Sequence, residues 1–371
     1  MKIQVLQENL SKALSITSRF SSTKVQLPVL ANILFKSHRN KLLVIATNLE
    51  MSISLSLGAK IDEEGDITIP TRTVTDLISN LKPGQLEIIT EKEKMEISAQ
   101  DFKSSISGMN SSDFPSVPTV IDNVDFKINP VTFQNALYKV LFSVSVDETR
   151  PVLTGVLVIL HKEGMVLVST DGFRLSQFKL RSPEIKKDLK VILPKNALHE
   201  LVRLMGDHEL EFSYSKDDNQ TLFGVENAVL TSRVIDGEFP DFERIIPKKT
   251  AITIIVDREE FLRAVKLASV FARDSANVVK LEIKKDGIDV LAESAQYGSQ
   301  KTSVDAKLVD GSESIKDFTI GFNYRFLEDF LTNVEGDDIQ IGLSDSNAPA
   351  TFVDLKERDY LHIIMPVRMQ S

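Results

Sequence analysis

Three stretches of this 371-residue chain resemble one another at an even interval. LVIATNLEMSI around Thr47, LVSTDGFRLSQ around Thr170 and VLAESAQYGS around Ser294 are separated by 123 and 124 residues. Two further markers keep the same step. Pro70 in ITIPTRTVTDLISNL and Pro194 in VILPKNALHELVRLM precede helix-like stretches 124 apart, with Gly321 near the third copy, and Asp113-Phe114-Pro115 precedes Glu238-Phe239-Pro240 by 125. A period this long is domain-sized, so each copy must bury a core of its own. Three copies fill the chain, and linker-like Asp122-Asn123 and Lys248-Lys249-Thr250 place the domains at 1–122, 123–250 and 251–371.

Each copy halves again. A strand with Ile3 and Val5 leads to a stretch whose Leu10, Ala13, Leu14 and Ile16 fit helical spacing, and alternating strands follow. A second helix is expected over Arg72 to Lys82, with Val74, Leu77, Ile78 and Leu81 on one side. The others are expected at Pro130–Phe142, Lys195–Met205, Arg258–Arg273 and Asn323–Asn333. The unit is one strand, one helix and about three strands, six times over. Strands outnumber helices and connections are hairpin-length, so the fold class is α+β with largely antiparallel sheets.

The six helices carry 12 basic against 7 acidic residues in a chain whose formal net charge is −9. The remainder is therefore near −14. One reading is ordinary dipole complementation by Lys and Arg at helix ends. The other is a shared cationic wall for a phosphate backbone, with the acidic remainder turned away. No aromatic is evident on the helices' polar faces, which favours duplex over single strands.

Chemistry is sparse. There is no cysteine, which suits a cytoplasmic protein and excludes thiolate sites. The start, MKIQVLQENL, has no signal-like apolar run, and no stretch is long enough to span a membrane. The five histidines lack metal-ligand spacing, and GxxxxGK[ST], GxGxxG and GxSxG are absent. No cofactor is expected. A non-catalytic binding role leads, a metal-dependent nucleic-acid enzyme on a repeated α+β scaffold stands second, and an extracellular repeat adhesin third.

LPVLANI (27–33), TDGFRL (170–175), DGEFPDFERIIP (236–247) and IIMPVR (363–368), in this order on three repeats, resemble the bacterial DNA polymerase III beta subunit family, the sliding clamps. The resemblance covers the whole chain. It implies a head-to-tail homodimer closing a six-domain ring around double-stranded DNA without reading its sequence. It implies as partners the replicative polymerase's catalytic subunit, the clamp loader, repair polymerases, ligase and mismatch-repair proteins, and no membrane.

The resemblance also assigns residues. A hydrophobic peptide pocket would draw on Leu153, Thr170, Gly172, Phe173, Arg174 and Leu175, then on Pro240, Arg244 and Ile245. Phe326, Ser346 and the tail Ile364, Met365, Pro366, Val367 and Arg368 would complete it. DNA would meet Lys24, Arg72, Lys195 and Arg203, with Lys12, Arg19, Lys139, Arg263 and Lys266. The dimer contact would set Val270 and Phe271 of one copy against Leu77, Leu81 and Ile106 of the other. Asp147 stands where such clamps often carry an uncharged polar residue, and Met369, Gln370 and Ser371 end the chain differently.

Overall fold

The structure, a computed structural model, describes residues 1–22, 27–181, 188–311 and 318–368. The sixfold pattern is present, with one added strand, β5, in the first unit. The first repeat runs β1 (Lys2–Leu6), α1 (Gln7–Thr17), β2 (Asn32–His38), β3 (Lys41–Thr47), β4 (Met51–Gly58) and β5 (Lys60–Glu63). It continues with β6 (Gly65–Pro70), α2 (Thr71–Ser79), β7 (Gln85–Glu91), β8 (Lys94–Ala99) and β9 (Phe102–Ser107). The second runs β10 (Phe126–Ile128), α3 (Pro130–Leu141), β11 (Gly155–His161), β12 (Gly164–Thr170) and β13 (Arg174–Arg181). Its other half is β14 (Leu189–Pro194), α4 (Lys195–Leu204), β15 (Leu210–Ser215), β16 (Gln220–Val225) and β17 (Ala228–Arg233). The third runs β18 (Ile252–Asp257), α5 (Arg258–Ala272), β19 (Val278–Ile283), β20 (Gly287–Ser294) and β21 (Gly298–Asp310). It ends with β22 (Thr319–Asn323), α6 (Tyr324–Asn333), β23 (Asp338–Leu343), β24 (Ala350–Asp354) and β25 (Tyr360–Ile364).

Helix starts follow from local chemistry. Pro70 and Pro194 close β6 and β14 and lead directly into α2 and α4. Proline suits that junction because its fixed φ starts a helix and it has no N–H to leave unpaired. In the third repeat Asn323 takes the place, its side chain accepting the Arg325 N–H, so Gly321 lies within β22 and does not open the helix. On α1, Leu10, Ala13, Leu14 and Thr17 are buried at the spacing of one helical face. Helix α2 stops at Ser79 with Asn80 capping it, shorter than expected. Leu81 and Lys82 therefore lie beyond the helix, and Leu81 shares no helical face with Leu77.

The chain gathers into two compact units that cut across the middle repeat. One comprises Met1–Pro130 and His199–Val234, the other Val131–Leu198 and Ile235–Ser371. Each is built on sheets that run unbroken from one repeat into the next. In the first unit the order is β10-β15-β16-β17-β4-β3-β2-β6, with β17 of the second repeat paired to β4 of the first, beside a sheet β5-β1-β7-β8-β9. In the second unit β13 pairs with β25 in a sheet β14-β11-β12-β13-β25-β24-β23-β18-β21-β20-β19-β22. Among the described residues every strand pairing is antiparallel, in keeping with hairpin-length connections.

Candidate peptide site and charged surfaces

The TDGFRL string is the turn joining β12 to β13. Asp171 Oδ1 accepts the N–H groups of Phe173 (2.9 Å) and Arg174 (3.0 Å). Thr170 Oγ1 accepts from Gly172 N (3.0 Å) and donates to Arg174 O (2.6 Å). Gly172 sits at φ +91°, where a side chain would strain the backbone. This tight tip pushes Phe173 out to 64% exposure.

Beneath the tip lies an apolar cluster. Leu153, Leu157, Val168, Leu175, Ile192, Phe239, Phe242 and Ile363 pack together, with Val152, Ile246 and Leu361 half-buried against them. Leu175 opposes Ile363 across the β13–β25 pair. The tail then runs past the tip: Met365 N donates to Phe173 O and Val367 N to Gly321 O, both at 2.8 Å. Met365, Pro366 and Val367 are half-buried, whereas Arg368 and Pro240 are exposed. Arg244 pairs with Asp241 at 2.7 Å beside the partly exposed Ile245. Ser346 lies half-buried in the turn between β23 and β24, the latter opposing β25 through Ala350 and Ile364. Phe239 and Phe242, three apart in the quoted DGEFPDFERIIP string, anchor this cluster; their spacing was the available signal.

Arg174, Ile364 and Phe326 are corrections. Successive side chains on a strand face opposite ways. Leu175 and Ile363 occupy the cluster, so the paired Arg174 and Ile364 occupy the other face. Arg174 is bound there completely. It meets Asp171 (2.9 Å), Asp329 (2.5 Å) and the Phe142 carbonyl (2.8 Å), and its guanidinium lies 4.6 Å from the Phe326 ring centre and 5.5 Å from that of Phe142. It fastens the tip to α6 and does not stand free as a peptide-binding cation. Asp147 is likewise a turn former: its carboxylate accepts the Thr149 hydroxyl and N–H, which hold it below the ordinary aspartate range.

On that same face His362 is fully buried, its Nδ1 2.9 Å from Ser176 Oγ and its ring stacked on Phe330 at 5.1 Å. Burial, then the charge of Arg174, hold it well below the usual histidine range, so it stays neutral. The unfolded chain binds this proton near pH 6.5 while the folded chain refuses it. The histidine's contribution is therefore complete above pH 6.5 and is lost as pH falls below it, at up to about 1.4 kcal/mol per unit. Melting of the native protein and of His362→Gln between pH 7.5 and 5 should show the native Tm falling faster. Parallel curves would contradict this.

The cations divide sharply. Lys139 is a correction: it is 2% exposed, paired with Glu357 and set over the Phe178 and Tyr360 rings, so it cannot meet DNA. It is the only charged residue of α3, whose outward residues include Val131 and Tyr138, so an aromatic does stand exposed on a helix. Lys195 is half-buried, and burial and the nearby Arg174 lower its pKa. Arg19 and Arg203 both grip the buried Glu200, each at 2.6 Å, which offsets charge counted as free. Lys12, Arg263 and Lys266 are exposed, and Arg72 is 95% exposed with Asp76 3.7 Å away. Lys24, Met369, Gln370 and Ser371 lie outside the described residues.

Leu77 and Ile106 line a shallow depression with Pro70, Thr73, Asn80 and Ser104. It lies along β9, which among the described residues has a sheet neighbour on one side only. Leu81 and Phe271 are half-buried, and Val270 is 57% exposed on α5.

Tandem repeats of doubled strand–helix–strands units, with sheets continuous from repeat to repeat, define the DNA-clamp class of α+β protein. Family models agree along the whole length: the DNA polymerase III beta subunit N-terminal domain matches residues 1–118, its central domain 127–241 and its C-terminal domain 243–368. The chain belongs to the DNA polymerase III beta subunit family, the bacterial beta sliding clamps. It is 27% identical over 379 residues to the beta sliding clamp of Staphylococcus aureus strain Mu50, covering 99% of each. It is 28% identical over 397 residues to that of Synechocystis sp., covering 100% of each. The crystal structure of the Bacillus subtilis DNA polymerase sliding clamp superposes with a TM-score of 0.94 at 24% identity, and that of the Thermotoga maritima DNA polymerase III beta subunit with 0.90 at 25%, each over 100% of both chains.

Proposed function

We propose that this chain is the processivity factor of a replicative DNA polymerase: two copies close head to tail around duplex DNA, slide along it and hold the polymerase there through the cluster under the Thr170–Arg174 tip. The protein needs no active site for this. It raises the local concentration of its partner at the template, and the clamp-family match along the chain gives the metal-dependent enzyme reading no support. Phosphate contact through exposed cations such as Lys12, Arg72, Arg263 and Lys266 carries no base readout, so the ring can move. The clamp loader, repair polymerases, ligase and mismatch-repair proteins would take turns at the same pocket. The cytoplasm is its proposed compartment, and no helix among the described residues is long and apolar enough to cross a membrane.

The observation that carries the pocket is the apolar cluster bordered by exposed Phe173 and half-buried Met365. Aliphatic anchors on a short extended peptide suit it, and the soft thioether of Met365 adapts to several. Met365→Ala should weaken binding of a fluorescent acetyl-Glu-Leu-Leu-Phe peptide on the order of tenfold, measured by anisotropy, with the dimer intact. Unchanged affinity would remove Met365 from the pocket.

A further inference from the structure

The pocket architecture occurs twice in the chain. In the first repeat the β3–β4 turn repeats the Thr170–Arg174 hydrogen bonds one for one. Asn48 Oδ1 accepts from Glu50 N (3.0 Å) and Met51 N (2.9 Å), and Thr47 Oγ1 accepts from Leu49 N (3.1 Å) and donates to Met51 O (3.2 Å). A cluster lies below it, with Val29, Leu30, Ile45 and Phe114 buried and Leu34, Leu43 and Val117 half-buried against them. Its members arise as those of the pocket do. Val29 and Leu30 come from a 3-10 turn after Pro28 as Val152 and Leu153 do after Pro151, and Phe114 precedes Pro115 as Phe239 precedes Pro240. Even the crossing strand recurs. Arg233, just past the β17–β4 pairing, donates its N–H to Glu50 O at 2.9 Å, as Met365 does to Phe173 O at 2.8 Å.

Two differences define the chemistry. Leu49 occupies φ +74°, where the pocket tip has Gly172 at +91°, and its side chain is 47% exposed. A leucine in that backbone region is a strained outlier. The residue crossing the tip is the exposed cation Arg233 instead of Met365.

We propose that the first repeat carries a second peptide site, centred on Leu34, Leu43 and Val117 and bordered by Leu49 and Arg233. It takes a short extended segment with aliphatic anchors and an acidic residue for Arg233. The assignment rests on the pocket reading above, because the likeness of the two tips supplies the ligand class. A ring would then hold two classes of docking point, and a partner with two such segments could engage both.

The test is a methyl-NMR titration of the full-length protein with acetyl-Glu-Leu-Leu-Phe. Shifts should appear at Leu34, Leu43 and Val117 as well as at Leu175 and Ile363. Arg233→Glu and, separately, Leu49→Gly should weaken the first set about tenfold and leave the second unchanged. Leu49→Gly relieves the backbone, so a merely structural role would leave affinity untouched. Shifts confined to Leu175 and Ile363 would overturn the second site while the pocket stands. Shifts at neither set would overturn both.

Discussion

Replacing Arg174 by alanine should destabilise the second unit by about 3 kcal/mol, read as a fall in denaturant midpoint and as proteolytic release of the C-terminal strand. The magnitude follows from what would be stranded. The Phe142 carbonyl and Oδ2 of the largely buried Asp171 lose the guanidinium, and the Phe142 and Phe326 rings lose it from between them. Removing one side of a buried charged group typically costs about 3–5 kcal/mol. The Asp329 contact adds little, because that carboxylate is half-exposed and screened. Arg174→Lys should recover less than half, since an ammonium cannot satisfy a fork-shaped set of acceptors or stack on two rings. A loss below 1 kcal/mol in the alanine variant would show that the tip holds itself.

The second large effect concerns assembly. Leu77→Asp and Val270→Asp, in the first and third repeats, should each turn dimer into monomer in sedimentation velocity, with dissociation constants raised about a hundredfold. Val270 is exposed on its helix, so its substitution should leave each chain's own stability within about 0.5 kcal/mol. A head-to-tail arrangement makes a sharper forecast. Mixing the two variants leaves one interface with both faces native, so the mixture should recover a dimer that is joined once and not closed. Isologous pairing, in which like meets like, gives no such rescue.

Much of this was legible beforehand because it is local or periodic. The repeat near 124 residues set the sixfold element order, and the apolar spacing in α1 set its buried face. What escaped is long-range. Lys139 reads as a helix cation until Glu357, 218 residues later, packs over it with Phe178 and Tyr360. Arg19 looks free until Glu200 of the next repeat reaches it. The Arg174 and Ile364 assignments failed differently. Arg174 and Leu175 are neighbours in one motif string, but the two-residue strand period forbids them from facing one way. Leu81 lies off the helix face expected of it because α2 ends two residues before it.

The central claim is topological capture, and retention on DNA of different ends tests it most directly. Labelled protein placed by a bacterial clamp loader on a nicked circular plasmid should co-elute with that plasmid through a high-salt gel filtration, because a closed ring needs no strong phosphate contact. Cutting the circle once should release it within the time of the column. Equal retention on circle and line, or loss from the intact circle as salt rises, would contradict the account.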